Sequence, residues 1–267
     1  MSRLPGMPHL DTYRMITADP PWAYDRPDAP GGTGEHYDGM PLEDICAMRV
    51  GDLAHPDGAV LGLWCTGPFA AEGAHVEVAR AWGFRSVTLA FDWVKICSTC
   101  NACGHRWEEH KAREPWANRG RCSVDDADGA CSCSHYDLRM VAGTGSYTMQ
   151  GHEHLWLATR GEGFSSTRAV RNVRNTLLWP ITPKHSAKPE AAQDLLERLW
   201  PGLTPRLELF ARRRRPGWAC YGNQLPDSDL VFGDAVGLNF PVTPKPARTP
   251  RVPEAQGVLF DEVPRAV

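Results

Sequence analysis

Hydrophobic positions along this chain fall in short continuous runs, separated by stretches where apolar residues return at three- and four-residue spacing. The runs at residues 13–18, 58–66, 84–94, 152–159, 175–179 and 205–210 predict buried strands. Residues 41–50 put Leu42, Ile45 and Met48 on one helical face behind Pro41. Residues 189–199 do the same with Ala192, Leu195, Leu196 and Leu199 behind Pro189. A third helix is expected over 68–82, stopped by Gly83. Strand, helix and strand in alternation predict an α/β fold: a parallel sheet with helices on its faces.

The pattern fails twice. Between residues 95 and 140 Cys, His, Gly and charge replace periodic apolar residues, and beyond Leu225 seven prolines occur in a segment with little to pack. The expected organisation is one α/β domain from residues 1–94 and 141–225, an insertion at 95–140, and a poorly ordered tail at 226–267. A length of 267 residues accommodates that plan. The longest apolar stretch, 59–65, is too short to span a bilayer, and the first fifteen residues show no charged-then-apolar leader. A cytoplasmic protein with no membrane partner is expected.

Net charge is −3, which argues against coating nucleic acid through bulk charge. It leaves room for a local basic groove, because Arg168, Arg171 and Arg174 recur every three residues and Arg212 to Arg215 are consecutive. With so few basic runs, the insertion or a second subunit of a homo-oligomer is expected to supply part of such a groove.

Six of the nine cysteines lie between Cys97 and Cys133, interleaved with His105, His110 and His135. Without an export signal, that clustering predicts metal rather than disulfides. Cys100-x2-Cys103-Gly104 reads as a knuckle, and Cys131-x-Cys133 as its partner. Cys100, Cys103, Cys131 and Cys133 are the expected ligands of a structural Zn2+, with Cys122, His110 and Cys97 as substitutes. Catalytic zinc is disfavoured: His152-Glu153 lacks the intervening residue of a deaminase motif, and His152-Glu153-His154 lacks zincin spacing.

The most specific chemistry sits where the first strand ends, at Asp19-Pro20-Pro21-Trp22. An exocyclic amine on a nucleobase is planar and a poor nucleophile. A site that methylates it must hold both N–H hydrogens while the nitrogen pyramidalises. Asp19 offers one acceptor and the Pro20 carbonyl the other, in a Pro-Pro pair with fixed φ and no N–H to compete. Trp22 offers a flat face for an extruded base. Three later segments complete a pattern. Glu208 stands in a predicted strand where a carboxylate can grip ribose hydroxyls. Gly222-Asn223-Gln224 carries amides suited to an adenine edge. Lys184-His185-Ser186-Ala187-Lys188-Pro189 places polar groups before a helix, to meet phosphate or substrate or to cap it.

Together these motifs resemble the DPPW-class N6-adenine methyltransferases of the MT-A family. The matching residues are Ala18 to Trp22, His36-Tyr37 with Met40, Gly143-x-Gly145-x-Tyr147 through His154, and His185-Ser186-x-Lys188-Pro189. Further matches are Arg206-x-Glu208-Leu209-Phe210-Ala211-Arg212 and Pro216-Gly217-Trp218 through Gln224. The resemblance covers roughly residues 13 to 225 outside the insertion. It implies S-adenosylmethionine as methyl donor on a Rossmann-like sheet. Asp19, Pro20, Pro21 and Trp22 would then be catalytic. Asp19, Glu208, Phe210, Arg212, Asn223, Gln224 and His152 would bind the donor. Tyr24, His36, Tyr37, His185, Ser186 and Lys188 would meet the substrate. The implied partner is DNA, its target adenine flipped out of the helix. Tyr147-Thr148-Met149 departs from the aromatic-x-Arg of many bacterial relatives, and His152 stands where some have lysine. An N4-cytosine enzyme, an RNA N6-adenosine enzyme and a non-catalytic nucleic-acid-binding relative are the alternatives. The acidic Asp19 leans toward adenine, and an intact Asp19 and Trp22 toward activity.

Overall fold

The computed structural model describes residues 12–23, 39–111, 120–126, 129–143, 145, 147–181 and 187–229. Seven strands form the main sheet: β1 (Met15–Ala18), β2 (Ala59–Cys65), β3 (Arg85–Ile96), β6 (His152–Arg160), β7 (Thr176–Pro180), β8 (Arg206–Leu209) and β9 (Ala219–Tyr221). Their spatial order is β7-β3-β6-β2-β1-β8-β9. A separate two-stranded ribbon, β4 (Asp125–Asp126) and β5 (Gly129–Ala130), lies in the insertion. The helices are α1 (Leu42–Ala47), α2 (Gly67–Ala71), α3 (Ala74–Ala81) and α4 (Glu190–Leu199).

Strand periodicity divides the core into two layers. Ile16, Ala18, Leu61, Leu63, Leu207 and Leu209 point to one face, where they pack with Ile45 of α1 and Val78 of α3. Met15, Val60, Trp64 and Leu155 point to the other, against Ala192, Leu195 and Leu196 of α4. Gly62 lies under α4, where a Cβ would come 3.3 Å from Leu196 Cδ1, so a larger residue would crowd the helix against the sheet. This is a Rossmann-like α/β sheet with helices on both faces.

Two expectations need correction. The sheet is mixed, not parallel: β6 runs antiparallel to both β2 and β3, while every other pairing is parallel. The insertion explains the reversal. Chain leaves β3 at Ile96 and comes back beside it, with the Val141 N–H donating to the Lys95 carbonyl and the Lys95 N–H to the Gly151 carbonyl. The chain returns at the same end of β3 that it left, so β6, lying beside β3, runs antiparallel to it. The helix expected over 68–82 is two helices, because Gly73 adopts φ +83° between them. Gly83, at φ +81°, ends the second as expected.

The insertion also starts later than its composition suggested, since Lys95 and Ile96 belong to β3. It has its own small core of Cys100, Trp107 and Tyr136, resting on Ile96 and on Trp179 of β7. At the other boundary, Asp229 is tied to β9 through the Cys220 N–H and to Arg214; residues 230–267 lie outside the described residues. Among the described residues, no helix is long and apolar enough to cross a membrane.

Candidate active site

A cleft open to solvent lies on the α4 face at the carboxyl ends of β1 and β8. Such an edge is where open α/β sheets bind ligands. Its lining includes Thr17, Asp19, Trp64, Lys188, Glu208 and Phe210. The strand alternation that buries Leu207 and Leu209 on the opposite face aims Glu208 into the cleft.

Asp19 and Glu208 therefore share one cavity. The Lys188 ammonium, immediately before α4, lies 2.8 Å from Asp19 Oδ2 and 3.0 Å from Glu153 Oε2. Lys95 donates to Glu153 Oε1 at 2.6 Å. Four charged groups thus alternate in sign along a single line, in a setting where burial strengthens each attraction. Burial raises the Asp19 carboxyl, Lys188 pulls it back, and neighbouring Glu153 pushes it up again. For Glu153, burial is outweighed by two ammonium groups, and its pKa falls to about 2. Lys188 is held above the usual lysine range by its two carboxylates, against its own burial.

Glu208 is set differently. Burial raises its pKa, countered by a hydrogen bond from Gln193 and by Arg213. Its Oε2 is buried and makes no hydrogen bond among the described residues. A buried acceptor without a donor is costly and uncommon, and at a cleft wall it marks a place for a ligand hydroxyl or N–H. Phe210, next in line, holds φ +60°, a strained setting for an aromatic residue that re-aims the chain along the cleft.

The Asp19-Pro20-Pro21-Trp22 loop is pinned from both sides. The Trp22 N–H donates to the Pro20 carbonyl at 2.9 Å, and the Met40 N–H to the Pro21 carbonyl at 2.6 Å. Trp22 itself departs from expectation. It is 3% exposed, its Nε1–H donates to the Trp64 carbonyl, and its ring stacks on Phe69 at 5.3 Å. Its face is taken by the core, so it shapes the loop rather than receiving a base.

Other expected site residues are distributed unevenly. Arg212 lines the cleft with Phe210. Asn223 and Gln224 are exposed in the turn after β9 and lie outside the cleft lining. His152, expected beside the donor, is exposed on the opposite side of β6 from Glu153 and 4.9 Å from the His154 ring. The two-residue period of a strand turns Glu153, not His152, toward Lys188. Lys188, expected to meet substrate, has its ammonium on two carboxylates instead. Tyr24, His36, Tyr37, His185 and Ser186 lie outside the described residues.

The arginine run is not a bare basic patch. Arg213 pairs with Glu190, Arg214 with Asp229, and Arg215 with Asp194 and Glu197. These pairs bind residues 213–215 to α4 and to residues beyond β9, steadying the segment after Glu208. Gly222 serves the same end. A Cβ there would collide with the Ala211 carbonyl oxygen, beside the Ala211 N–H bond to the Tyr221 carbonyl. Gly222→Ala is expected to destabilise the protein by about 1–3 kcal/mol through overpacking, read as a lowered thermal midpoint.

In the insertion, two groups of metal-competent atoms are gathered: Cys100, Cys103, His110 and Cys133, and Cys103, His105, Cys122 and Cys131. The expected quartet is therefore split, because Cys131 and Cys133 belong to different groups. Cys97 is in neither group; its sulfur accepts from Arg139 Nε at 3.2 Å.

With this geometry in place, comparison with known proteins is decisive for the family. Residues 13–119 and 135–224 match the MT-A70 family model. The chain belongs to the MT-A70 family. It is also 25% identical over 242 residues to the Type II methyltransferase M.MunI of a Mycoplasma species, covering 82% of this chain and 80% of that protein. Family and relative alike place the chain among the methyltransferases. The family match includes the loop of Asp19 and the strand of Glu208, but skips residues 120–134, which hold Cys122, Cys131 and Cys133.

Proposed function

We propose that this protein methylates the exocyclic N6 of adenine in DNA, with S-adenosylmethionine as donor. The observation that carries the reading is the common cleft of Asp19 and Glu208, with Lys188 joining Asp19 to Glu153.

The residues fit the donor on one structural ground: the unpartnered Glu208 Oε2 is an acceptor of the kind a ribose hydroxyl satisfies. Phe210 and Arg212 flank it, and the amides of Asn223 and Gln224, beyond the neighbouring strand end, would hold the adenine moiety. When bound, S-adenosylmethionine supplies an electrophilic methyl group.

Asp19 accepts one hydrogen of the target amine, and Lys188 on Oδ2 favours the ionised carboxyl, opposing the burial that raises its pKa. The Pro20 carbonyl already takes the Trp22 N–H and has a second lone pair for the other amine hydrogen. Rate enhancement then comes from orientation and from stabilising positive charge that develops on N6. An acidic residue at the head of the loop supports adenine over cytosine. Similarity to a Type II methyltransferase supports DNA. A fully exposed Tyr147 and half-exposed Met149, between the paired Gly143 and Gln150, offer a surface for nucleic-acid contact. The base would be flipped out to reach the cleft. Zinc in the insertion has a structural role.

DNA from cells expressing the protein, digested and analysed by nucleoside mass spectrometry, should contain N6-methyladenine. DNA from cells expressing Asp19→Ala should not. Finding N4-methylcytosine, or no modified base, would overturn the reading.

A further inference from the structure

The insertion carries more ligands than one metal can use. Seven side chains, five Cys and two His, fall into two groups of four that overlap in a single residue, Cys103. We propose that this segment binds two zinc ions bridged by the Cys103 thiolate.

Distances within each group match the edges of a zinc tetrahedron. With Zn–S near 2.3 Å and Zn–N near 2.0 Å, tetrahedral geometry sets S···S at about 3.8 Å and S···N at about 3.5 Å. In the first group Cys100 Sγ and Cys133 Sγ are 3.8 Å apart, and Cys103 Sγ and His110 Nε2 are 3.4 Å apart. In the second, Cys122 Sγ and His105 Nδ1 are 3.3 Å apart. The outer contacts are set as well. His110 Nδ1 lies 2.9 Å from the Gly120 carbonyl, which directs Nε2 to the metal, and the Asp137 N–H donates to Cys100 Sγ at 3.2 Å.

Cys103 is indispensable to both. Removing it from either group leaves three ligands, whereas a closed structural site takes four. A thiolate has lone pairs enough for two metals. It occupies the middle of the cluster because the Cys100–His105 knuckle turns sharply at Gly104, where φ is +75°. A single zinc in the first group would leave Cys122 and Cys131 packed together with no cation between them. Two zinc ions against five thiolates leave a net charge of only −1.

The arrangement explains how so little apolar material is ordered. Cys122 and Cys131 tie the β4–β5 ribbon to one metal, and Cys133 ties the next residues to the other. Trp107 and Tyr136 pack beside this cluster and pass the constraint to Ile96 and Trp179 at the sheet edge. The family match skips 120–134, so each group draws ligands from outside it: Cys133 in the first, Cys122 and Cys131 in the second.

The test uses the full chain purified with zinc and freed of loose metal. Elemental analysis should give two zinc per chain. After replacement by cadmium-113, two cadmium resonances should both correlate with the β-protons of Cys103. One metal or none per chain would overturn the proposal, as would two metals that share no cysteine. Neither measurement involves turnover, so the outcome is separate from that of the methyl-transfer reading.

Discussion

Asp19→Ala is expected to lower methyl transfer by roughly a thousandfold or more while donor affinity stays within a few-fold of normal. The split follows from where the side chain sits. Glu208, the group proposed to hold the donor, is on a different strand, with its own supports in Gln193 and Arg213. Losing Asp19 also leaves no stranded cation, because Lys188 keeps Glu153 at 3.0 Å. The cleft should therefore survive and the reaction should not. Asp19→Asn sharpens the test: it keeps the shape, loses the charge, and can turn an NH2 toward an amine that needs an acceptor. It should be nearly as inactive as alanine. Single-turnover methylation and calorimetric titration of the donor measure the two sides independently. A variant that retains a tenth of the normal rate would remove Asp19 from the mechanism.

Much of this architecture was legible in the chain because its strands are short apolar runs with clear punctuation. Strands Met15–Ala18, Ala59–Cys65 and Arg206–Leu209 form within the 13–18, 58–66 and 205–210 runs, and Asp19 follows the first of them directly. Direction was not legible. Nothing local in His152 to Arg160 distinguishes a parallel from an antiparallel strand, and the reversal of β6 depends on which edge the insertion returns to. The same long-range pairing hid the charge line. Lys95 stands at the border of a cysteine-rich stretch, and Glu153 between two histidines that draw attention to metal. Only the register of β3 against β6 brings the two together, with Trp93 opposite Glu153 and Lys95 nearby. Trp22 differs for the opposite reason. A tryptophan beside a catalytic loop reads as a stacking platform, yet Phe69 and the Trp64 carbonyl draw it inward. Cysteine spacing, too, specifies metal without saying how many ions share a thiolate.

Lys188→Met should depress activity roughly 10- to 100-fold at neutral pH and shift the acid limb of the pH–rate profile upward. The carboxyl of Asp19 is already raised by burial, and Lys188 is the strongest influence holding it down. Without that ammonium, burial and the charge of Glu153 both act to raise it further. At a fixed neutral pH a smaller fraction of Asp19 is then ionised, so fewer molecules can accept the amine hydrogen. Raising the pH restores the carboxylate, and the deficit against wild type should narrow toward pH 9. Glu153 should feel the change less, because Lys95 still donates to it. Lys188→Arg, which keeps a cation at the same place, should recover much of the neutral-pH rate. The measurement is kcat/KM across pH 5 to 9 for all three proteins. A role confined to packing before α4 would lower the Lys188→Met rate equally at every pH, and that parallel curve would end the case for Lys188 as the group that keeps Asp19 charged.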